Sequence, residues 1–505
     1  MGSNPTLSAS FQRTERADIK SAVSRVGERQ TGALLDLNER GRSDVRMKEP
    51  SVIAVKIKKR RSPTRRVGPC TRSTLPVCSC QLRPLKIQFR RMNCPRLISA
   101  LAVLTAAALT LSAAPAGTDW PGWRGPTRDG QAVSGQTVPL KWSETENVVW
   151  RSALPGKGHG SPTISGHRIY LAIGDAVNEE QRVVCLDRAK GKIVWDSVVH
   201  RGKVDDTGER NSSPASCTVA CDGERLYINF FNDRAVHTSA LSLDGKVLWQ
   251  RRVCGFVTVR GFGSSPVVHE SVVLVSADHK MGGKLAALDK RTGEIVWEHD
   301  RPSLQNYSSP TLLNVGGRPQ MFVAGCNLVA SFEPSTGKKI WEVTGSTETT
   351  VTTPVSDGRR IYITGGFPKS YVAAIESDGS GQVVWQSGTG IYVPSLLVRA
   401  GYVYGLLDGG KAVCWNAETG DELWREKVDR DFFASPIMSG ERIYATSVAG
   451  VTSVFAATPQ KFTLLAQNNL GDEAYASPAI AGNRIYLRHA KKGEPRQEYL
   501  WCIGQ

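Results

Sequence analysis

From about residue 147 to the C-terminus the chain alternates short apolar runs with tight turns. The same order of runs and turns returns roughly every 40 to 50 residues, eight times over. Each unit opens on a proline: Pro162, Pro214, Pro266, Pro310, Pro354, Pro394, Pro436 and Pro478. Serine precedes six of these, with Thr353 and Val393 before the other two. A glycine turn and an apolar run follow in most units, as in Gly166-His-Arg-Ile-Tyr170, Gly223-Glu-Arg-Leu-Tyr227 and Gly440-Glu-Arg-Ile-Tyr444. Glycine supplies the freedom a tight hairpin needs, and Ile-Tyr with its neighbours alternates as a half-buried strand does. A second hairpin closes the unit, seen best in Leu285-Ala-Ala-Leu-Asp-Lys-Arg-Thr-Gly-Glu-Ile-Val-Trp297.

This pattern predicts four strands per unit: one after Ser-Pro, one at Arg-Ile-Tyr, one before the Thr-Gly turn and one ending in Trp. Units of that kind are blades, so the predicted fold is all-β, an eight-bladed β-propeller of four-stranded blades. The seventh unit lacks its closing Trp and has Thr458-Pro459 where the turn belongs. The eighth stops after Tyr499-Leu-Trp-Cys-Ile503, one strand short. Asn147-Val-Val-Trp150 reads as the missing strand, so residues 147–150 are expected to complete the last blade and leave no long open edge.

Net charge changes the picture only at the N-terminus. The whole chain carries +17, but residues 1–91 hold 21 Lys or Arg against 7 Asp or Glu, leaving 43 against 40 in the rest. A nearly neutral remainder offers no electrostatic case for nucleic acid, and none is expected as a partner. Residues 1–91 read as a basic leader or an over-extended start and not as a domain. Residues 92–116 read as a signal peptide: Arg96, an apolar run from Leu97 to Leu111, then Ala114-Pro-Ala116. That run is short for a bilayer span, so the mature chain is expected to have no transmembrane segment. Residues 117–146 are then an N-terminal extension and 147–505 the propeller, an exported monomer of the periplasm or cell envelope.

Candidate chemistry is sparse. Seven cysteines follow the signal, an odd number that argues against a full disulfide framework, although Cys217 and Cys221 are spaced to pair if strand geometry allows. Gly-x-Ser-x-Gly, His-Glu-x-x-His and the phosphate-binding Gly-x-x-x-x-Gly-Lys-Ser/Thr are missing from the sequence, and no metal-ligand spacing appears.

The repeated Leu-Asp-x-x-Thr-Gly-x-x-x-Trp resembles the pyrroloquinoline quinone (PQQ) repeat, shared by quinoprotein alcohol dehydrogenases and by BamB, the propeller lipoprotein of outer-membrane assembly. Asp119-Trp-Pro-Gly-Trp-Arg-Gly-Pro-Thr-Arg-Asp-Gly130 is similar to the opening of exported propellers of this family from planctomycete-type bacteria. The resemblance implies that Trp150, Trp195, Trp249, Trp297, Trp341, Trp385 and Trp424 dock between blades. Burial of ~150–250 Å² per aromatic points to the same structural role. It also poses two functions. A dehydrogenase would hold PQQ over Ca²⁺ bound by Glu and Asn or Asp, often beside an adjacent Cys-Cys disulfide, but no adjacent cysteine pair exists and no such carboxylate set stands out. A BamB-like lipoprotein would carry Cys directly after the cleavage site, whereas Gly117 follows Ala116 here.

The sequence reading therefore favours a non-catalytic scaffold without cofactor, binding a cell-envelope protein or glycan. The alternative is a PQQ-dependent alcohol or sugar dehydrogenase. Binding is expected on the face that gathers the variable connections Gly174–Gln181, Val198–Asn211, Ala277–Gly283 and His489–Glu498. Residues just before each Ser-Pro should ring the channel there: His159, Asn211, Phe262, Tyr307, Thr350, Tyr392, Phe433 and Tyr475. Such a ring either stacks a ligand or merely plugs the mouth. Asp205, Asp206, Glu209, Asp278, Asp408, Asp431 and Glu473 are the carboxylates expected near this rim.

Overall fold

The computed structural model describes residues 117–204 and 212–505. The expected leader and signal peptide lie outside the described residues, as do Asp205, Asp206, Glu209 and Asn211. Eight antiparallel four-stranded sheets form the ring, seven of them built from consecutive strands. Blade 1, for example, comprises Thr163–Ser165, Arg168–Asp175, Glu180–Asp187 and Ile193–Arg201, counted from the axis outward. The eighth joins Val148–Ala153 to the outside of Gln497–Ile503. The N-terminal strand thus completes the last blade, as the missing strand required. Among the described residues no helix is long and apolar enough to cross a membrane.

Each outermost strand carries a register shift beside its third neighbour, at Cys185/Leu186, Ala287/Leu288 and Cys414/Trp415 for instance. The extra residue is left unpaired and points outward: Val194, Val296 and Leu423 are exposed. A bulge at this point re-aims the following tryptophan out of the strand's regular alternation and into the seam. The tryptophan sits near the start of its strand, and the strand continues beyond it, as Ile193–Arg201 does past Trp195. The expectation that the strand ends at Trp is corrected accordingly. Indole rings pack on the turn glycine of the next blade, so close that a Cβ on Gly191, Gly293 or Gly420 would fall 2.4–2.6 Å from Trp150, Trp249 or Trp385. Nε1 then donates to a carbonyl of that turn, as from Trp249 to Lys290 at 3.2 Å and from Trp385 to Ala417 at 2.9 Å. Aspartate shapes the turn itself, since Asp289 Oδ1 accepts from the amides of Arg291 and Thr292.

Around the axis, a second set of contacts joins neighbouring blades at six of the eight junctions. The amide of one blade donates to a hydroxyl of the next, from Ser161 to Thr218, Thr218 to Ser265, Ser265 to Ser309, Thr353 to Ser395, Ser395 to Ser435 and Ser435 to Ser477, all at 2.8–3.0 Å. These contacts show what the Ser of Ser-Pro does, and they correct two assignments. Blade 2 opens at Thr218-Val219, not at Ser213-Pro214, and blade 6 at Ser395-Leu396, not at Val393-Pro394. In each the hydroxyl stands nine residues before the aromatic of the second strand, as Ser161 does before Tyr170. Proline is tolerated beside it because the innermost strand is an edge and the missing N–H costs no ladder bond.

The N-terminal extension is woven into this ring. Trp120 pairs with Ile164 in blade 1, and the Cys221 amide of blade 2 donates to Pro121 O. Arg124 reaches across to blades 6 and 7, donating to Pro436 O at 2.8 Å and to Leu396 O, while also bonding its own Asp129 O at 2.6 Å. Burial pulls this guanidinium's pKa down to about 10, with the Asp129 charge opposing the shift. Blades 2 and 6 stand opposite one another in an eight-membered ring, so the segment crosses the channel. It then runs along blade 7, where Trp142 stacks on Tyr444 with ring centroids 6.3 Å apart. Elsewhere the second-strand tyrosine meets its own blade's tryptophan at the same range, 5.9 Å for Tyr170 and Trp195 and 6.1 Å for Tyr362 and Trp385. Blade 7 has Ala466 where that tryptophan belongs. Trp142 fills the place from outside the repeat.

Candidate binding site at the channel mouth

Because the crossing segment occupies the far half of the channel, the near half is a blind cavity of about 180 Å³. Trp123 forms part of its wall from within. The residue two positions before each inter-blade hydroxyl lines it in every blade: His159, Ser216, Gly263 and Tyr307 on one half of the ring, Val351, Val393, Phe433 and Tyr475 on the other. Phe262, Tyr392 and Arg260 add to the wall.

Of the residues expected here, His159, Phe262, Tyr307, Tyr392, Phe433 and Tyr475 come together. Thr350 does not: it is buried beside the cavity, its hydroxyl 2.8 Å from Ser346 Oγ and its amide bonded to Asn306 Oδ1, and Val351 lines the cavity in its stead. Asn211 lies outside the described residues, and Ser216 holds the blade 2 position. The blade 2 shift follows from counting back from Ser213-Pro214; in blade 5 Thr353-Pro354 does mark the hydroxyl, and Thr350 stands one residue before the lining position. Counting nine residues back from the second-strand aromatic identifies the hydroxyl in six blades and, two residues earlier, the lining position. Trp123 carried no such signal, since its neighbours in space are hundreds of residues away.

Charge near the mouth is consumed by structure. Tyr475 donates to Glu473 at 3.1 Å, and Arg496 bridges Glu473 at 2.7 Å and Glu498 at 2.9 Å. Glu498 in turn holds Arg488 at 2.7 Å and accepts the Gly158 amide, fixing the loop that bears His159 across the closing seam. Asp278 is buried against Arg301 at 2.9 Å and Asn306 at 3.0 Å. Asp408 accepts the Tyr392 amide at 3.2 Å, and burial raises its carboxyl pKa above the usual range. Asp431 accepts from the Gly409 amide. None of these carboxylates lines the cavity.

His159 stacks on Tyr475 with centroids 4.4 Å apart, and Tyr475 meets Phe433 edge-on at 5.7 Å. Burial, reinforced by Lys157, Arg488 and Arg496, pushes the His159 pKa well below its ordinary value, so the ring is neutral. The seven described cysteines are free; Cys217 Sγ faces Ser264 O, while Cys221 Sγ accepts from Gly223. The connections expected to be loops prove shorter in blades 1 and 8. There strands run to Asp175 and from Glu180, and to Lys491 and from Gln497, leaving tight turns on tall hairpins.

PQQ over Ca²⁺ does not fit this wall. A cofactor-sized pocket encloses ~300–1,000 Å³, the lining offers one guanidinium to a tricarboxylate, and among the described residues no group of three or more His, Cys, Asp or Glu could hold a metal.

Fold, seam tryptophans and axial hydroxyl contacts together define a closed eight-bladed propeller of the PQQ-repeat class. A sequence profile of the family described as "Outer membrane protein assembly factor BamB" matches residues 179–368 and 368–493, and the chain belongs to that family. The BamB of Yersinia pestis is 25% identical over 367 residues, covering 67% of this chain and 86% of the relative. That of Bordetella pertussis is 23% identical, covering 69% and 83%. Among solved structures, BamB from Moraxella catarrhalis aligns with a TM-score of 0.51 at 16% identity, covering 70% of this chain and 96% of that one. A europium-containing methanol dehydrogenase aligns at 0.59 and 10% identity, covering 77% and 99%. At such identities the structural likenesses speak for the fold alone.

Proposed function

We propose that this chain is an exported, non-catalytic scaffold of the cell envelope that binds a protein partner through its mouth face, in the service of outer-membrane protein assembly. Membership in the BamB family over most of the propeller carries this reading. The wall of the channel supports it over the quinoprotein alternative, since aromatic rings and hydroxyls stand where a dehydrogenase needs convergent carboxylates and amides. The mouth face also presents apolar side chains on rigid turns. Val177 is exposed on a turn that Asp175 caps at two amides, and Val257 and Met281 stand exposed on the adjoining connections. Exposed apolar residues on this face suit a protein surface more than a polar glycan.

The test is direct binding of a urea-unfolded outer-membrane barrel protein, diluted into native buffer over the immobilised full chain, beside a titration with PQQ and Ca²⁺. Saturable capture of the barrel protein, weakened tenfold or more by Val177→Asp with Met281→Asp, is the expected result. Stoichiometric PQQ binding with dye-coupled alcohol oxidation would sink the scaffold reading.

A further inference from the structure

The cavity at the mouth is small, apolar and closed behind by Trp123. We propose that it is a one-ring pocket that receives a single aromatic side chain of an extended polypeptide, a subsite of the mouth face and so dependent on the scaffold reading above. Size points this way first. About 180 Å³ is close to the ~150 Å³ apolar cavity that holds a benzene molecule, and well short of a multi-ring cofactor.

Ring geometry agrees. His159, Tyr475 and Phe433 form a continuous aromatic run, stacked and then edge-on, against which another ring completes an offset or T-shaped contact. Charge discriminates further. Among the described residues the wall carries a guanidinium, Arg260, and no carboxylate. A guanidinium complements the negative face of an aromatic ring, whereas it repels the like charge of a Lys or Arg side chain. The exposed Val177 and Met281 on mouth-face hairpins offer apolar surface outside the cavity, which favours a polypeptide over a free small molecule.

One wall position is already vacant. Gly263 has an ordinary φ, and a Cβ built there would meet nothing nearer than Ser216 Cβ at 4.0 Å. Gly263→Leu therefore fills the pocket without disturbing the backbone.

The experiment measures anisotropy of two labelled twelve-residue Gly/Ser/Thr peptides, one with a central Phe and one with Ala in its place, against the full chain and its Gly263→Leu variant. The Phe peptide should bind the wild type at least tenfold tighter than the Ala peptide. Gly263→Leu should erase that preference while its melting temperature stays unchanged. Equal binding of the two peptides, binding of neither, or a preference that survives in the folded variant overturns the pocket. Displacement by methyl glucoside but not by N-acetylphenylalaninamide would assign the cavity to a sugar and overturn it as well. Capture of the barrel protein alongside equal peptide binding leaves the scaffold reading standing without the pocket; a Phe preference without barrel capture does the reverse.

Discussion

The two halves of the axial channel are built on opposite terms. In the far half and along the seams, nearly every polar group is pledged to another part of the fold: Arg124 to carbonyls of blades 6 and 7, indole N–H groups to the turns of the next blade, axial amides to neighbouring hydroxyls. At the mouth the side chains make rings with one another and leave a cavity. The frame tolerates little change, and the mouth has room for it. That contrast separates residues kept for stability from residues available for binding, which no single-residue property here would do.

The largest expected effect tests the frame where it is least regular. Trp142 stands in for the tryptophan blade 7 lacks, buried against Tyr444 and Ala466. Trp142→Ala should cost about 3–5 kcal/mol, as much as removing a seam tryptophan supplied within the repeat, such as Trp424→Ala. Urea unfolding of both variants checks it. A loss under 1 kcal/mol for Trp142 alone would make the extension an ornament and not a seam element.

A smaller effect belongs to the seam turns. Gly293 has φ +74° and faces Trp249, with 2.6 Å to the nearest ring atom from an added Cβ. Gly293→Ala combines a left-handed backbone with overpacking and should cost about 2–3 kcal/mol, read as a lowered urea midpoint with unchanged slope.

These two positions differ in how visible they were in the sequence. Gly293 announced itself through Thr-Gly and the repeat, because a turn needing positive φ leaves a local signature. Eight blades and the closing strand were legible for the same reason: hairpin chemistry is local. Trp142, Trp123 and Arg124 left no such mark, since each acts on residues far along the chain and obeys no period. The mouth was legible only in part. Ser-Pro was taken as the marker, but the constraint is the hydroxyl that joins neighbouring blades, so Pro214 and Pro394 acted as decoys; Pro214 displaced the predicted lining of blade 2 to Asn211, whereas in blade 5 the predicted Thr350 stands one residue before the lining Val351.

Acid should loosen the mouth before the frame. Burial draws the His489 pKa down to about 4 and that of His200 to about 4, and it holds that of His159 well below its usual value. Each is neutral in the folded protein near pH 6, while the unfolded chain takes up protons below about 6.5. Their stabilising contribution is therefore complete above that value and declines as pH falls toward about 4. Between pH 7 and pH 5, His489 alone should account for a loss of about 2 kcal/mol. In His489→Asn the amide can replace the Nδ1 bond to Leu470 O without titrating. Urea midpoints at the two pH values should converge for that variant, and hydrogen exchange at pH 5 should rise first in blades 8 and 1. An equal acid response in the variant would place the sensitivity elsewhere.

The smallest effect sharpens the contrast most. Gly263 and Gly293 are both glycines, one in the wall of the mouth and one facing a seam tryptophan. Only Gly293 has its conformation and its space spoken for. Gly263→Leu adds four carbons to a half-buried wall, where the backbone is ordinary and the space is the cavity itself, so stability should stay within about 0.5 kcal/mol of wild type. A modest gain from newly covered apolar surface is compatible with that range, because the added side chain displaces no existing contact. A loss comparable to that of Gly293→Ala would mean that the mouth is packed as tightly as the seams. The distinction between a committed frame and an open mouth would then fail, together with the reason for looking for a ligand there.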